Sequence, residues 1–213
     1  MTYYKTVSKY CEVEQTIEKS RFIGYIKPVE TREEADAFIA EIRNLHRSAT
    51  HNVPAYVIGE KSELQWASDD REPSGTAGTP ILHMLTGEGV TNVVIVVTRY
   101  FGGIKLGTGG LVRAYGGTAR MALEAAGIAV VKEMDILKFA VDYTYYGKIK
   151  NSEKDGLYVI ENSSFEDNVK LTLICDPWVT DAIKNMLSEL TGGICCGDKI
   201  QVEKTLKKTD FSC

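Results

Sequence analysis

The chain has 213 residues, 44% of them hydrophobic and 25% charged, with a formal net charge of −4. That is enough apolar material for one or two soluble domains, and the negative balance excludes indiscriminate coating of nucleic acid by bulk charge. No apolar run reaches the roughly 18 residues of a spanning helix and the first residues lack a signal-peptide core; Cys11, Cys175, Cys195, Cys196 and Cys213, odd in number and two of them adjacent, read as reduced thiols of a cytoplasmic protein.

Residues 10–18 alternate as a strand, with 21–27 as its hairpin partner. Thr31 and Glu34 form a capping box. Behind it Ala35, Phe38, Ile39, Ile42 and Leu45 recur at helical spacing up to about His46. Residues 53–58 and 64–68 read as short strands. Thr79 and Pro80 then start a short helix, as N-cap and first helical position, with His83 packed inside it. The β-branched run 93–97 predicts a central strand buried on both faces. Leu111, Ala114, Tyr115, Thr118, Ala122 and Leu123 line one side of a helix that stops at Gly127, and Gly116, Gly117 and Ala119 allow a neighbour to pack close.

From about Glu133 the texture changes and glycine becomes sparse. Residues 136–143 read as a strand, 146–154 as a short helix ended by Gly156, and 158–163 and 169–175 as two further strands. Asp176 and Pro177 open a helix striped by Val179, Ile183, Met186, Leu187 and Leu190, stopped at Gly192 and Gly193. Residues 194–202 then supply a last strand before a frayed polar tail. The order βαββαβ is the split βαβ, ferredoxin-like arrangement.

Two glycine-rich loops stand out, at 68–80 (SDDREPSGTAGTP) and 101–110 (FGGIKLGTGG), each opening a helix. Glycine is entropically costly to order, so its repeated use at helix starts points to backbone amides presented to an anion. Between Gly89 and Leu123 the chain carries Arg99, Lys105, Arg113 and Arg120 and no acid, whereas Glu60 to Glu72 holds five acids against two cations. Nucleotide fingerprints fail: Val112 stands where Gly-x-Gly-x-x-Gly needs its last glycine, and no Gly-Lys-Ser/Thr occurs. What survives is an anion cradle of Gly107, Thr108, Gly109 and Gly110 with Lys105 and Arg113, beside the interleaved Arg99, Tyr100 and Phe101, a mixture suited to phosphate contact and base stacking. The plainer alternative is that these glycines serve only tight turns and helix packing.

His46 and His51 lack metal-ligand spacing, so a loop capped by aspartates, with a histidine bonded to its backbone, is the expected arrangement. No metal site and no cofactor is expected. Ser74 and Thr76 are not enclosed in a nucleophile elbow. An enzyme reading rests on Asp69, Asp70 and Glu72 as acid–base or metal-binding groups of a phosphate-ester or nucleotide-handling hydrolase.

Residues 68–80, residues 97–115 (VTRYFGGIKLGTGGLVRAY) and residues 49–52 (ATHN) strongly resemble the IMPACT/YigZ family. The match covers roughly residues 20–127 and places His51, Asp69, Asp70, Glu72, Pro73, Ser74, Gly75, Thr76 and Gly78 in the family motif. The remainder is similar to the C-terminal domain of bacterial members, and with no extra N-terminal domain of the eukaryotic kind the chain is identified as a bacterial-type member. The resemblance implies an α+β protein of two domains. Residues 1–132 would form a ribosomal protein S5 domain 2-like fold and 133–204 a ferredoxin-like fold, with 205–213 as tail, a pairing similar to domains IV and V of translocation factor G. For the eukaryotic relatives it further implies translational control through binding a ribosome-associated regulator of a stress kinase. The acid-free basic stretch leads to contact with RNA or the ribosome as the expectation here, with a purely protein-binding regulator as an alternative. In one departure, Arg71 stands where the family commonly has glycine.

Overall fold

The computed structural model describes residues 2–195 and 199–210; Cys196 and Cys213 lie outside the described residues. The chain divides into two compact units, Lys132–Lys207 and Thr2–Val131, the latter with residues 208–210. Both are mixed α/β. No helix among the described residues is long and apolar enough to cross a membrane.

The first unit opens with β1 (Thr2–Val7), β2 (Cys11–Ile17) and β3 (Ser20–Pro28). The tight β2–β3 turn sets Glu18 and Lys19 at φ 46° and 63°, the left-handed pair a two-residue hairpin demands. Helix α1 (Arg32–Leu45) starts where the sequence sets its cap, Thr31 Oγ1 accepting from Glu34 N at 3.2 Å. The return bond of the box shifts by one residue, Glu34 Oε2 accepting from Glu30 N. Then come β4 (His51–Ile58), β5 (Leu64–Ala67), α2 (Gly78–Gly87), β6 (Val93–Tyr100) and α3 (Gly107–Ala126).

Strands β2-β3-β6-β4-β5 form one sheet whose pairings are all antiparallel. Alternation sends Val93, Ile95 and Val97 of β6 to the core beneath α2 and α3, with Phe22 and Ile26 of β3 and Val53, Ala55 and Val57 of β4. Val94 and Val96 go to the other face, where Phe38, Ile39 and Ile42 of α1 meet Tyr25 and Tyr56. Burial on both faces of an antiparallel sheet explains the unbroken apolar run. Two expected packing residues are exposed instead: Leu45 ends α1 beyond the sheet, and His83 sits on the outer side of α2.

The second unit takes β7 (Ile128–Val141) from Lys132 onward, then α4 (Tyr143–Ser152), β8 (Tyr158–Phe165), β9 (Val169–Cys175), α5 (Thr180–Leu190) and β10 (Gln201–Asp210) as far as Lys207. The sheet that contains its strands has the order β1-β7-β9-β8, and β10 also pairs β7. Helices α4 and α5 bring Ile149, Ile183 and Leu187 onto Leu137, Phe139, Leu171 and Leu173. Several boundaries differ from expectation. β7 begins eight residues early, because the apolar run after Gly127 continues the strand. Tyr143 belongs to α4, whose start is fixed by the Asp142 carboxylate accepting from Thr144 N at 3.0 Å. The last strand is displaced into the segment expected to fray.

Candidate functional site

The acidic loop is an internally bonded clamp. Asp69 Oδ1 accepts from Ala77 N at 3.0 Å and Gly78 N at 2.8 Å, and Oδ2 from Gly75 N at 2.8 Å. The carboxylate of Asp69 therefore caps α2, in place of the expected Thr79. Burial alone would raise this carboxyl, but the three amides outweigh it and hold it below the usual carboxylate range. Asp70 ties the loop to β4, its Oδ2 accepting from Asn52 N at 2.6 Å and its carbonyl lying 2.8 Å from His51 Nδ1. Gly75 supplies a φ of 75°, and Gly78 a close approach: an added Cβ would lie 2.7 Å from the Ser68 carbonyl oxygen. Thr76 is buried and donates its hydroxyl to the Pro73 carbonyl at 2.6 Å, while Pro73 and Ser74 are exposed. At Arg71 the backbone keeps a φ of 70° although the side chain is not glycine.

Glu72 turns inward. Its Oε1 accepts from Arg99 Nη1 at 2.6 Å and from the Tyr115 hydroxyl at 2.7 Å, with His51 Nε2 at 3.6 Å. Burial first, then the bond to Glu72, pushes the Tyr115 phenol above its ordinary range, so it stays a donor. Arg99 is 4% exposed and lies between the rings of Phe22 and Phe101, each 5.4 Å from its guanidinium carbon. The strand phase that buries Val93, Ile95 and Val97 also turns Arg99 beneath the helices, so it is not the outward cation that the acid-free stretch suggested. Its Nη2 reaches Ser20 Oγ at 3.3 Å, and Nε has no acceptor among the described residues.

The second loop packs on the hairpin turn. An added Cβ at Gly102 would fall 1.9 Å from the Lys19 carbonyl oxygen, and Gly102 N donates to Ser20 Oγ at 3.2 Å. Helix α3 then begins at Gly107, itself at φ 68°, with no side chain capping it and no acid in its first turn. Gly107, Thr108 and Gly109 are exposed, and Gly110 is half-buried against Leu106. Lys105 and Arg113 are exposed beside them; Arg113 Nη1 lies 3.6 Å from where a Gly109 Cβ would be. Arg120 is elsewhere, roughly 20 Å along the helix, paired with Glu88 at 2.7 Å.

Between the two loops opens a cleft of about 390 Å³, lined among others by His51, Glu72, Arg99, Phe101, Lys105 and Thr108. The sequence reading grouped Arg99 and Lys105 with the Gly107–Gly110 amides; it did not bring His51, Glu72 and Tyr115 to the same place. Among the described residues, no three His, Cys, Asp or Glu side chains are disposed to hold a metal ion.

The Impact N-terminal domain model matches residues 18–123, the segment holding both loops, and a domain of unknown function (DUF1949) matches 139–193. The IMPACT family member YvyE of Bacillus subtilis is 44% identical over 190 residues, covering 89% of this chain and 88% of that protein. This chain belongs to the IMPACT/YigZ family. The YigZ member of Escherichia coli shares 48% identity over 113 residues, 52% of this chain and 55% of its own, and mouse Protein IMPACT 36% over 97 residues, 43% and 30%. A crystal structure described as a hypothetical protein aligns over 95% of this chain and 97% of its own at 32% identity and a TM-score of 0.60. The cleft therefore lies within the part of the chain that carries the family match.

Proposed function

We propose that this family member is a non-enzymatic binding protein of the cytoplasm that contacts RNA or the ribosome through the first turn of α3 and acts in translational control. The observation that carries this is the uncapped, acid-free start of a 20-residue helix, exposed at Gly107–Gly109 and flanked by exposed Lys105 and Arg113. Such a terminus presents free N–H groups and the positive end of the helix dipole to a phosphate. The link to translation rests on family membership. The carboxylates of Asp69, Asp70 and Glu72 are each engaged within the protein, which favours binding over a hydrolase built on the acidic loop.

The pairings β10–β7, β7–β9 and β9–β8 within a βαββαβ succession support a ferredoxin-like fold for residues 133–204. The antiparallel five-stranded sheet covered by α2 and α3 supports the S5 domain 2-like assignment for residues 1–132.

Co-sedimentation with ribosomes, or a shift of labelled RNA, at low and moderate salt tests the reading. Binding should weaken steeply with salt and be lost in the double variant Lys105→Glu/Arg113→Glu. Unchanged binding by that variant overturns the named surface. A protein partner that survives nuclease treatment, with no RNA or ribosome bound, replaces it with a protein-binding regulator.

A further inference from the structure

The cleft beside α3 has features that contact with a passing phosphodiester backbone does not call for. It is concave and of nucleotide scale, about 390 Å³. At its lip stands Phe101, 46% exposed. Its wall is the uncapped first turn of α3 with the Thr108 hydroxyl, and Lys105 lies at its edge. Two basic side chains reach it from the sheet. His51 is oriented by the bond between Nδ1 and the Asp70 carbonyl, which makes Nδ1 the donor in the neutral ring and leaves Nε2 without a hydrogen bond among the described residues. Arg99 is more than nine-tenths buried and lines the cleft, and its Nε has no acceptor among the described residues. The negative charge of Glu72 is answered by Arg99, so the pair adds no net repulsion to an incoming anion.

We propose that this cleft binds a phosphomonoester, the terminal phosphate of a nucleotide or of an RNA end, with the attached base laid on Phe101. The inference rests on the α3 surface being an anion site, and deepens it. An internal phosphodiester offers two free oxygens and must carry chain on both sides. A terminal phosphate offers three oxygens and needs room for chain on one side only. Three oxygens also suit groups arriving from different directions: the amides and hydroxyl of α3, the Lys105 ammonium and the Arg99 guanidinium donate, and His51 Nε2 accepts from the hydroxyl of a monoprotonated phosphate, which an internal diester lacks. A single aromatic at the lip provides a face for one base, whichever base it is.

The test is fluorescence anisotropy with one single-stranded RNA decamer prepared in three forms: both ends hydroxyl, 5′-phosphate and 3′-phosphate. Adenosine monophosphate and inorganic phosphate serve as competitors. At least a ten-fold preference for one phosphorylated form is expected, with adenosine monophosphate displacing it at lower concentration than inorganic phosphate. His51→Gln and Phe101→Ala should shrink that preference toward one, whereas Lys105→Glu/Arg113→Glu weakens all three forms alike. Equal affinity for the three forms, still lost in the double charge reversal, overturns the end-binding inference and leaves the RNA-binding proposal standing. Binding of adenosine monophosphate with no decamer bound assigns the cleft to a free nucleotide and removes RNA as its source. No binding of decamer, nucleotide or phosphate overturns the cleft proposal and, with no ribosome bound, the broader one.

Discussion

His51 and Arg99 are register partners across β4 and β6, and one oxygen stands between them: Glu72 Oε1, 2.6 Å from Arg99 Nη1 and 3.6 Å from His51 Nε2. A residue of the acidic loop is thereby bound to the sheet at the point where the second glycine loop leaves β6. Tyr115 adds a bond to the same oxygen from α3. Three segments far apart in sequence meet there, so the cleft has fixed walls although it is built from loops.

Breaking that junction from the acidic side should be costly, because Arg99 cannot lose its proton and would stay buried without a counter-charge. Glu72→Ala is expected to destabilise the first unit by about 3–5 kcal/mol, and Tyr115→Phe, which removes one hydrogen bond and keeps the ring, by about 1 kcal/mol. Urea denaturation of both variants checks the ratio. A Glu72→Ala protein as stable as the parent would mean that the junction does not hold the loop.

Asp69 gives a prediction with a pH sign. Its folded-state pKa is lowered by three amide donors. The stability it contributes is therefore complete above the ordinary aspartate value of about 4 and is lost as pH falls through the lower folded value. Asp69→Ala should cost about 1–2 kcal/mol at neutral pH, the range of a strong N-cap. Between about pH 4 and pH 2 the variant should show a shallower loss of denaturation midpoint than the parent. Parallel acid profiles would show that Asp69 is not the group responsible.

Much of the sheet was legible because period-2 alternation is local. The run at 93–97 gave a central strand, and Thr31 with Glu34 gave the start of α1. The same alternation contained the placement of Arg99: it is in phase with Val93, Ile95 and Val97, and so belongs to the face under the helices. Charge distribution along the chain carries no such phase, which is why it grouped Arg99 with Lys105 and Arg113. The cap of α2 could not be read locally, since the Asp69 carboxylate acts from eight residues before the cap position while Thr79 and Pro80 offer a plausible nearer start. Tyr115 was legible as a core residue of α3, but its bond to Glu72 spans 43 positions, and only the fold brings such partners together.

Arg71 offers a test of backbone strain. It sits at φ 70°, in the left-handed region that costs a non-glycine residue roughly 1–2 kcal/mol. A glycine there would relieve that while adding unfolded-state entropy of roughly 0.5–1 kcal/mol. Arg71→Gly is therefore expected to be neutral to stabilising by up to about 1 kcal/mol, and Arg71→Val, β-branched at the same φ, to be destabilising. Thermal denaturation of the two variants gives the order, and a Val variant as stable as the Gly variant would mean that the loop relaxes out of this conformation.

Where α3 packs on the sheet, the close approach is made by Gly24 of β3 rather than by Gly116 and Gly117 of the helix. Gly24 on β3 faces Thr118 of α3, and a Cβ added there would lie 3.1 Å from Thr118 Cγ2, 3.2 Å from the Thr118 carbonyl oxygen and 3.2 Å from Val13 Cγ2. Thr118 cannot readily swing away, because its hydroxyl donates to the Ala114 carbonyl and accepts from Gln15 Nε2, both at 2.7 Å. Gly24→Ala should therefore overpack the helix–sheet contact and cost about 1–3 kcal/mol. Gly117 on α3 is the reverse case, since its added Cβ would meet only Gln15 Nε2, at 3.9 Å. Gly117→Ala should gain up to about 1 kcal/mol from helix propensity. Denaturation midpoints of the two variants should move in opposite directions from the parent, and if both rise, α3 has room to shift away from β3 and the contact at Gly24 does not set its position.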